Sequence, residues 1–271
     1  MDERSRELRR NILLLVDAGK RGHIGPATSI VEILRVLYDS WLAIRPNEPQ
    51  WPERDRLILS KGHGCLALYS ILADKGFIDH AELSTFCQEG SRLGGHPETK
   101  VPGVEASTGA LGHGLSIGIG RALAAKLKRK AYRVAVVVGD GEINEGSIWE
   151  GALSASKHQL SNLSVFVDYN KLQSYGEIKT VVDLEPLVDK WKAFGFETRE
   201  VDGHSVNDLE SLVGTLPFAQ HKPSAIICHT IKGKGFPMAE NNPEWHHKVL
   251  SKEQYVAALK ELKCENNLCK Q

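Results

Sequence analysis

The stretch that decides the fold is Val134–Lys171, VAVVVGDGEINEGSIWEGALSASKHQLSNLSVFVDYNK. An apolar run, 134–138, ends in Gly139-Asp140-Gly141, and about thirty residues later a second, mostly apolar run, 163–167, ends in Asp168-Tyr169-Asn170. Short apolar runs bounded by polar turn residues are typical of buried parallel strands, and the segment between them is predicted to form a crossover helix. Both strands then end at the same edge of a sheet, which is where ligands of open α/β sheets bind.

Oxygen-bearing side chains follow both strand ends. We expect the carboxylate of Asp140 and the amide oxygen of Asn170 to meet there, as hard ligands suited to Mg²⁺ or Ca²⁺. Gly141 has no Cβ, so the backbone can come close to a phosphate, and the N-terminus of the following helix favours an anion. Gly and Asp are also ordinary turn residues, so the triplet alone indicates little. The matched ends of two strands favour a site for a diphosphate held through a divalent metal.

Composition indicates an ordinary intracellular enzyme domain. The 271 residues carry a formal net charge of +0, which gives no reason to expect a nucleic acid or a membrane surface as partner. No apolar run reaches the length of a membrane span, and the first ten residues, MDERSRELRR, lack the apolar core of a signal peptide. Five cysteines show no metal-finger spacing; Cys264 and Cys269 could pair, but a reducing cytoplasm would keep them as thiols. We therefore predict a cytoplasmic protein.

The remaining pattern alternates strands with helices. Helices are predicted at about 4–18, 29–42, 68–72, 109–127, 186–194, 206–216 and 251–262, and further strands at 57–59, 196–201 and 224–229. Such alternation implies a parallel sheet covered on both faces. The predicted fold class is α/β, a single doubly wound domain over residues 1–271 with a mostly parallel sheet.

Histidines next to glycine fall where loops should leave that sheet. They occur in Gly22-His23-Ile24-Gly25, Gly62-His63-Gly64, Gly95-His96-Pro97 and Gly112-His113-Gly114, followed by Trp245-His246-His247. A lone loop histidine is most often solvated or satisfied within the core, and a metal cage of histidines is a further alternative. Imidazole exchanges protons and hydrogen bonds near neutral pH, and flanking glycine lets a ligand approach. We favour a polar funnel for substrate.

Several of these motifs resemble, in order, those of the transketolase family, and the resemblance covers nearly the whole chain. GDGEINEGSIWEGAL, with Asn170 about thirty residues after GDG, closely resembles the family's thiamine diphosphate signature. GHIG is similar to the family's GHPG, DRLILSKGHG to DRFVLSNGHG, GGHPE to GHPE, and STGALGHG to TTGPLGQG. The resemblance implies a thiamine diphosphate-binding fold. It also implies transfer of a two-carbon ketol unit from a ketose, or its phosphate, to an aldose or its phosphate.

The resemblance implies roles at the diphosphate end of the cofactor. Asp140, Asn170 and the carbonyl oxygen of Leu172 would bind the metal, Mg²⁺ or Ca²⁺. Asn170 would also contact the cofactor, Gly141 would touch its diphosphate, and His63 would contact the same group.

Other matching residues fall at the substrate end. His23, His96 and His246 would contact the sugar as catalytic residues, with His246 also near the cofactor. The backbones of Gly109 and Leu111 would hold the aminopyrimidine.

The sequence departs from the family's pattern mainly at this substrate end. Ile24 replaces the Pro of GHPG, Ala110 replaces another Pro, and His247 stands where Gly commonly follows the late histidine. Whether His246 or His247 faces the active site therefore stays open, as does the identity of the sugar.

Full activity in this family needs a glutamate from a second, pyrimidine-binding domain. The resemblance therefore implies the N-terminal subunit of a split transketolase, inactive alone. Its partner would be a C-terminal transketolase subunit that supplies the activating Glu, with an α2β2 heterotetramer expected. Glu145 resembles a cofactor-site acid of the family that joins a carboxylate network between two active sites. Alternatives are a subunit of a 1-deoxyxylulose-phosphate synthase, the alpha chain of a 2-oxo-acid dehydrogenase, and a non-catalytic homologue.

Overall fold

A five-stranded parallel sheet forms the centre of the protein. The computed structural model describes residues 1–174 and 176–262. Its strands are β1 (Arg56–Leu59), β2 (Val134–Gly139), β3 (Leu163–Tyr169), β4 (Leu172–Gln173), β5 (Gly176–Glu177), β6 (Glu197–Asp202) and β7 (Ser224–His229). The order across the main sheet is β1-β2-β3-β7-β6, with every neighbouring pair parallel, while β4 and β5 form a separate antiparallel hairpin. The predicted α/β fold with a mostly parallel sheet is confirmed.

Helices connect the strands. They are α1 (Glu3–Gly19), α2 (Ile24–Thr28), α3 (Val31–Val36), α4 (Cys65–Asp74), α5 (His113–Leu127), α6 (Gly146–Lys157), α7 (Ile178–Val181), α8 (Leu187–Ala193), α9 (Val206–Val213) and α10 (Lys252–Glu261). Short 3₁₀ segments lie at Gly62–Gly64, His80–Thr85, Gly141–Asn144 and Pro243–Trp245. A π-helical turn, Leu37–Trp41, follows α3.

The sheet separates two apolar cores. Along β2, Val134, Val136 and Val138 pack on the side of α5, α6 and α8, whereas Ala135 and Val137 pack on the side of α1, α3 and α4. Successive side chains of a strand point to opposite faces, so a strand buried on both faces is apolar throughout. This is why the central strands have no polar alternation in sequence.

Two predicted helices begin later than expected. In the segment predicted as a helix at 29–42, α3 and the π-helical turn form one continuous helical stretch from Val31 to Trp41, preceded by α2. The Ser29 hydroxyl donates hydrogen bonds to Pro26 O (3.0 Å) and Asp168 Oδ2 (2.7 Å), and Ile30 leaves helical geometry at φ −109°, ψ 9°. A side chain that bonds elsewhere competes with helix continuation. In 109–127, Gly112 has φ 83°, so α5 begins only at His113.

No helix in the two described ranges is long and apolar enough to cross a membrane. Cys65, Cys87 and Cys228 are free thiols. Cys264 and Cys269, which could pair in principle, lie outside the described residues.

Candidate functional site

A cavity of about 240 Å³ opens at the carboxyl ends of the central strands. Each of β1, β2, β3 and β7 is followed by residues that line it, as expected for an open parallel sheet. Ten sequence-predicted site residues line it: His23, His63, His96, Gly109, Leu111, Asp140, Gly141, Asn170, Leu172 and His246. Further lining residues are Pro26, Lys61, Gly139, Glu142, Gln173, Ser174 and Lys232.

Asp140 and Asn170 lie side by side in this cavity. Asp140 Oδ2 accepts a hydrogen bond from Lys171 N (2.5 Å), and Asn170 Oδ1 accepts one from the next backbone amide, Leu172 N (3.1 Å). Register explains the meeting, because Gly139 of β2 pairs with Asp168 of β3 and both chains leave the sheet there. The strand ends thus bring together a carboxylate and an amide oxygen, the donor types that Mg²⁺ and Ca²⁺ prefer.

The charged form of Asp140 is destabilised by its surroundings. Burial first, and then the neighbouring Asp168 carboxylate, raise the pKa of Asp140 to about 7, against hydrogen bonds from Gly141 N and Lys171 N that act to lower it. A buried carboxylate in this condition favours a nearby cation. The donor set therefore fits a divalent metal.

Beneath these ligands lies a buried ion pair that the sequence analysis did not single out. The Lys61 ammonium, 1% exposed, donates to Asp168 Oδ2 of a fully buried carboxylate. Asp168 also accepts hydrogen bonds from Ser29 (2.7 Å), Thr230 and the Asn170 amide (Nδ2, 3.0 Å). Burial acts to raise the pKa of Asp168, but the Lys61 charge and these hydrogen bonds outweigh it and lower that pKa. Asp168 thereby fixes the amide of Asn170, whose oxygen faces Leu172 N.

A second lysine points into the same cavity. Lys232 Nζ donates to the carbonyl oxygens of Leu172 and Ser174, both at 3.3 Å. Burial, and then the Lys61 charge, lower the pKa of Lys232 to about 8. Two ammonium groups at one end of a cavity favour an anionic ligand.

Two glycines leave room for the backbone to meet a ligand. A Cβ at Gly141 would lie 2.8 Å from Gln173 Cγ, and one at Gly109 would lie 3.0 Å from His96 Cδ2. Gly109 also has φ 151°, a conformation that other residues rarely adopt. Gly109 is therefore restricted to glycine by its backbone conformation, and a side chain at Gly141 would displace Gln173.

Four imidazoles lie close together in the same cavity. Ring centroids of His23 lie 5.4 Å from His63, 6.1 Å from His96 and 5.3 Å from His246. Burial, followed by neighbouring imidazole or lysine charges, lowers the pKa of His23 to about 4 and that of His246 to about 3. The pKa of His96 is lowered by burial, and that of His63 falls well below its usual value for the same reason. These rings are neutral near pH 7 and can each donate and accept one hydrogen bond.

A histidine metal cage is not formed. Among residues 1–174 and 176–262, no group of three or more His, Cys, Asp or Glu side chains is arranged to hold a metal ion. The neutral imidazoles instead suit a polar ligand with hydroxyl groups.

The structure also shows which of the remaining histidines line the cavity, a distinction that the sequence left open. His246 lines the cavity, whereas its neighbour His247 is exposed and is not among the lining residues, although its ring lies 4.6 Å from that of His23. His113, in the fourth His-Gly junction, is exposed and bonds its own loop through Leu111 O (3.1 Å). The expectation that His113 joins the funnel is wrong, since His113 does not line the cavity.

Glu145 lies outside the cavity lining. It is an exposed residue at the N-cap of α6, packed near Gly112. Within the cavity the acid is instead Glu142, which accepts hydrogen bonds from Gly112 N (2.9 Å), Gly139 N (3.0 Å) and the Ser60 hydroxyl. The structure thus places Glu145 outside the cavity lining. Its role at the cofactor and its place in a network between two active sites stay predictions.

Comparison with known proteins agrees with this geometry. The family described as "Transketolase, thiamine diphosphate binding domain" matches residues 5–267. A subunit of the apulose-4-phosphate transketolase of Phocaeicola vulgatus is 40% identical over 97% of this chain and 93% of its own length. The 6-deoxy-6-sulfo-D-fructose transketolase subunit of a Clostridium species is 42% identical over 93% of each chain.

A solved structure with the same fold is a transketolase mutant from Pichia stipitis. It superposes with a TM-score of 0.91 at 28% sequence identity, over 96% of this chain. The match covers 40% of that transketolase, so this chain corresponds to less than half of it.

Proposed function

The chain belongs to the transketolase family, and on that premise we propose that it is the N-terminal subunit of a two-chain, thiamine diphosphate-dependent transketolase. The enzyme would transfer a two-carbon ketol unit from a ketose, or its phosphate, to an aldose or its phosphate. The observation that carries this proposal is the single cavity that joins Asp140 and Asn170 to four neutral histidines. Two relatives of nearly the same length, each named as a transketolase subunit, support it.

At one end of the cavity, we propose that this chain holds a metal and a diphosphate. Asp140, Asn170 and the Leu172 carbonyl provide hard oxygen ligands for Mg²⁺, with Ca²⁺ as the alternative. Gly141 and His63 contact the diphosphate, and Lys61 and Lys232 supply positive charge around it. When bound, thiamine diphosphate supplies the carbon nucleophile of ketol transfer.

At the other end, we propose that neutral imidazoles hold the sugar. His23, His96 and His246 can each donate to a hydroxyl or to the oxygen on which negative charge develops. A well-placed donor of this kind contributes on the order of 2–4 kcal/mol to the transition state. Gly109 and Leu111 offer backbone groups to the aminopyrimidine. Because each imidazole has one donor and one acceptor nitrogen, the set orients a polyhydroxylated ligand without adding charge.

A separate partner chain is implied by the relatives' names. We propose that it brings the pyrimidine-binding domain with the activating Glu and that the assembly is an α2β2 heterotetramer. Glu145, exposed at the start of α6, is then free to join a carboxylate network across a subunit interface.

Both apolar cores pack on one sheet, which supports treating the chain as a single domain. Free thiols at Cys65, Cys87 and Cys228 support a reducing, cytoplasmic setting.

We propose a ketose or its phosphate as donor and an aldose or its phosphate as acceptor. The two relatives are named for different ketoses, one a phosphate and one a sulfo sugar. A 1-deoxyxylulose-phosphate synthase or a 2-oxo-acid dehydrogenase would use pyruvate or another 2-oxo acid instead, and a non-catalytic homologue would transfer nothing.

A reconstituted assay separates these alternatives. The chain is mixed with its partner subunit, thiamine diphosphate and Mg²⁺, and turnover is followed with a ketose phosphate and an aldose phosphate, or with pyruvate. We expect ketol transfer and no use of pyruvate. His96→Ala should lower turnover about 10²-fold or more while cofactor affinity stays within about twofold, because its ring faces the sugar end. Turnover only with pyruvate, or none with either, contradicts the proposal.

A further inference from the structure

The segment 230–236, called here the lysine loop, carries Lys232 from the end of β7 into the cavity. Lys232 is 1% exposed, and its ammonium lies 3.3 Å from both the Leu172 and the Ser174 carbonyl oxygens. A lysine ammonium on a flexible four-carbon stem has no preferred place of its own. The backbone of the lysine loop therefore sets the point from which this side chain reaches the two carbonyl oxygens.

Behind the lysine loop, on the side away from the cavity, lie three polar side chains: Arg9, Glu32 and His204. Arg9 is fully buried and Glu32 is 3% exposed. The Arg9 guanidinium donates to both carboxylate oxygens of Glu32, at 2.6 and 3.0 Å, and to the carbonyl oxygens of Ser5 (3.2 Å) and Thr28 (3.0 Å). This bidentate pair fixes the Arg9–Glu32–His204 cluster between α1 and α3.

The cluster grips the lysine loop on both sides of Lys232. The Ile231 backbone N–H donates to His204 Nε2 (2.8 Å), and Arg9 Nε donates to the Lys234 carbonyl oxygen (2.7 Å). Because Nε2 of His204 accepts a hydrogen bond, its proton lies on Nδ1, which donates to Glu32 Oε2 (2.9 Å). Glu32 therefore sets the tautomer of His204, and His204 in turn sets the position of Ile231.

None of the three side chains lines the cavity. We propose that His204, held by Glu32 and Arg9, is a positioning residue that fixes the lysine loop so that the Lys232 ammonium faces the diphosphate end of the cavity. The inference rests on the proposed function, because it assigns to Lys232 the charge of a diphosphate ligand. It implies that the affinity for the diphosphate depends on His204, a residue that does not contact that ligand.

Two substitutions of His204 separate its two hydrogen bonds. In His204→Gln the side-chain oxygen reaches the Nε2 position and can accept from Ile231 N–H. In His204→Asn the amide lies at the Nδ1 position, so the bond to Glu32 is kept and Ile231 N–H loses its acceptor. His204→Asn therefore leaves the half-buried Ile231 amide without an acceptor and releases the lysine loop, whereas His204→Gln removes only the bond between two side chains of the cluster.

The test uses the full chain and inorganic pyrophosphate with Mg²⁺ as the probe. We expect His204→Asn to weaken pyrophosphate binding in calorimetry by roughly tenfold or more, and His204→Gln to stay within about threefold of wild type. Amide hydrogen exchange across 230–236 should accelerate in His204→Asn alone, while exchange in β2 and β3 stays slow in both variants. Lys232→Met is the matched control, because it removes the ammonium charge and keeps a side chain of similar length.

Either of two results overturns the positioning role. One is an equal loss of affinity in the Asn and Gln variants, and the other is unchanged exchange across 230–236 in His204→Asn. If the wild-type chain binds no pyrophosphate, the proposed function fails instead, and the exchange comparison still decides whether His204 holds the lysine loop.

Discussion

At the scale of single residues, the candidate site is built on a buried charge pair rather than on its ligands. Asp168 accepts from Lys61, Thr230, Ser29 and the Asn170 amide, so groups from four separate segments converge on one carboxylate. Removal of Lys61 would leave a buried charge without its counterion, which costs about 3–5 kcal/mol when a buried ion pair is broken. The geometry of Asn170 is thus enforced by residues that never need to touch a ligand.

Asp140 gives the most direct test of the diphosphate end. We expect Asp140→Ala to abolish Mg²⁺-dependent binding of thiamine diphosphate, weakening it by about 10²-fold or more, because the only carboxylate of the proposed metal ligands is lost. Calorimetry with and without Mg²⁺ measures this. Asp183→Ala, a change at an exposed carboxylate, is the control. Cofactor affinity retained in Asp140→Ala rejects the metal assignment.

Glu32 gives a pH-dependent test of the Arg9–Glu32–His204 cluster. Burial acts to raise the pKa of Glu32, but the Arg9 charge and the His204 hydrogen bond lower it from 4.5 to about 2. A lowered pKa means that the folded state holds the proton less tightly than the unfolded state. Its contribution is therefore complete above about pH 4.5 and lost as the pH falls towards 2, about 3 kcal/mol in all.

The measurement is the free energy of unfolding in urea at a series of pH values below about 5. We expect it to fall less steeply with decreasing pH in Glu32→Gln than in wild type, although the variant is less stable overall because Arg9 loses its partner. Glu150→Gln, at an exposed position of α6, should leave the slope unchanged. Parallel slopes for wild type and Glu32→Gln would show that Arg9 does not stabilise the charge of Glu32.

The residues that sequence analysis identified are those at strand ends and next to glycine. Asp140, Asn170 and His63 follow apolar runs, so their position at the sheet edge could be predicted. Lys61 and Lys232 also follow strands and precede glycine, yet a lysine in sequence is expected at the surface and its burial cannot be seen there. Asp168 was placed just beyond a strand, whereas β3 extends to Tyr169 and encloses it. The burial of Lys61, Lys232 and Asp168 results from contacts between segments that are distant in sequence.

At the scale of elements, the packing of α5 on the sheet depends on small residues. A Cβ at Gly118 would overlap Val136 Cγ2 of β2, whereas a Cβ at Gly120 on the same helix would meet nothing within 4 Å. The glycine-rich composition of 109–127 had indicated a helix packed closely against the sheet or a neighbour. The structure shows that Gly118 faces the sheet and Gly120 faces outward.

These two glycines give a matched pair of stability predictions. We expect Gly118→Ala to destabilise the chain by about 1–3 kcal/mol, because the added methyl must displace α5 or β2. Gly120→Ala should stabilise it by about 0.5–1 kcal/mol, because alanine loses less conformational freedom in a helix. Urea unfolding of both variants against wild type measures the difference. Equal effects of the same sign would contradict the packing assigned to α5.

The sequence predicted the type of each main element correctly. It predicted the ends of helices less well where a side chain bonds to a residue in a different element. The strands β1, β2, β3, β6 and β7 all lie where apolar runs predicted them. The helix predicted at 29–42 is present from Val31 to Trp41, and it begins two residues late because Ser29 bonds Asp168, a contact across 139 positions that no local pattern contains. The later start places Ser29 at the base of the site.

At the scale of the whole molecule, one cavity combines two kinds of groups. The proposed metal ligands and two ammonium groups line it together with neutral imidazoles. This chain matches 40% of a solved transketolase. The proposed partner subunit would cover the pyrimidine, so the two ends of thiamine diphosphate would depend on different chains.

If two chains share the cofactor in this way, the partner subunit should change the affinity for thiamine diphosphate but not that for pyrophosphate. Addition of the partner should tighten binding of thiamine diphosphate by at least about tenfold, because a second set of contacts is added to one ligand. Binding of pyrophosphate with Mg²⁺ should change by less than about twofold, since its proposed contacts all belong to this chain. Calorimetry of both ligands, with and without saturating partner, measures the two ratios. An equal gain for both ligands would mean that the partner reshapes the diphosphate end, and no gain for either would contradict a cofactor shared between subunits.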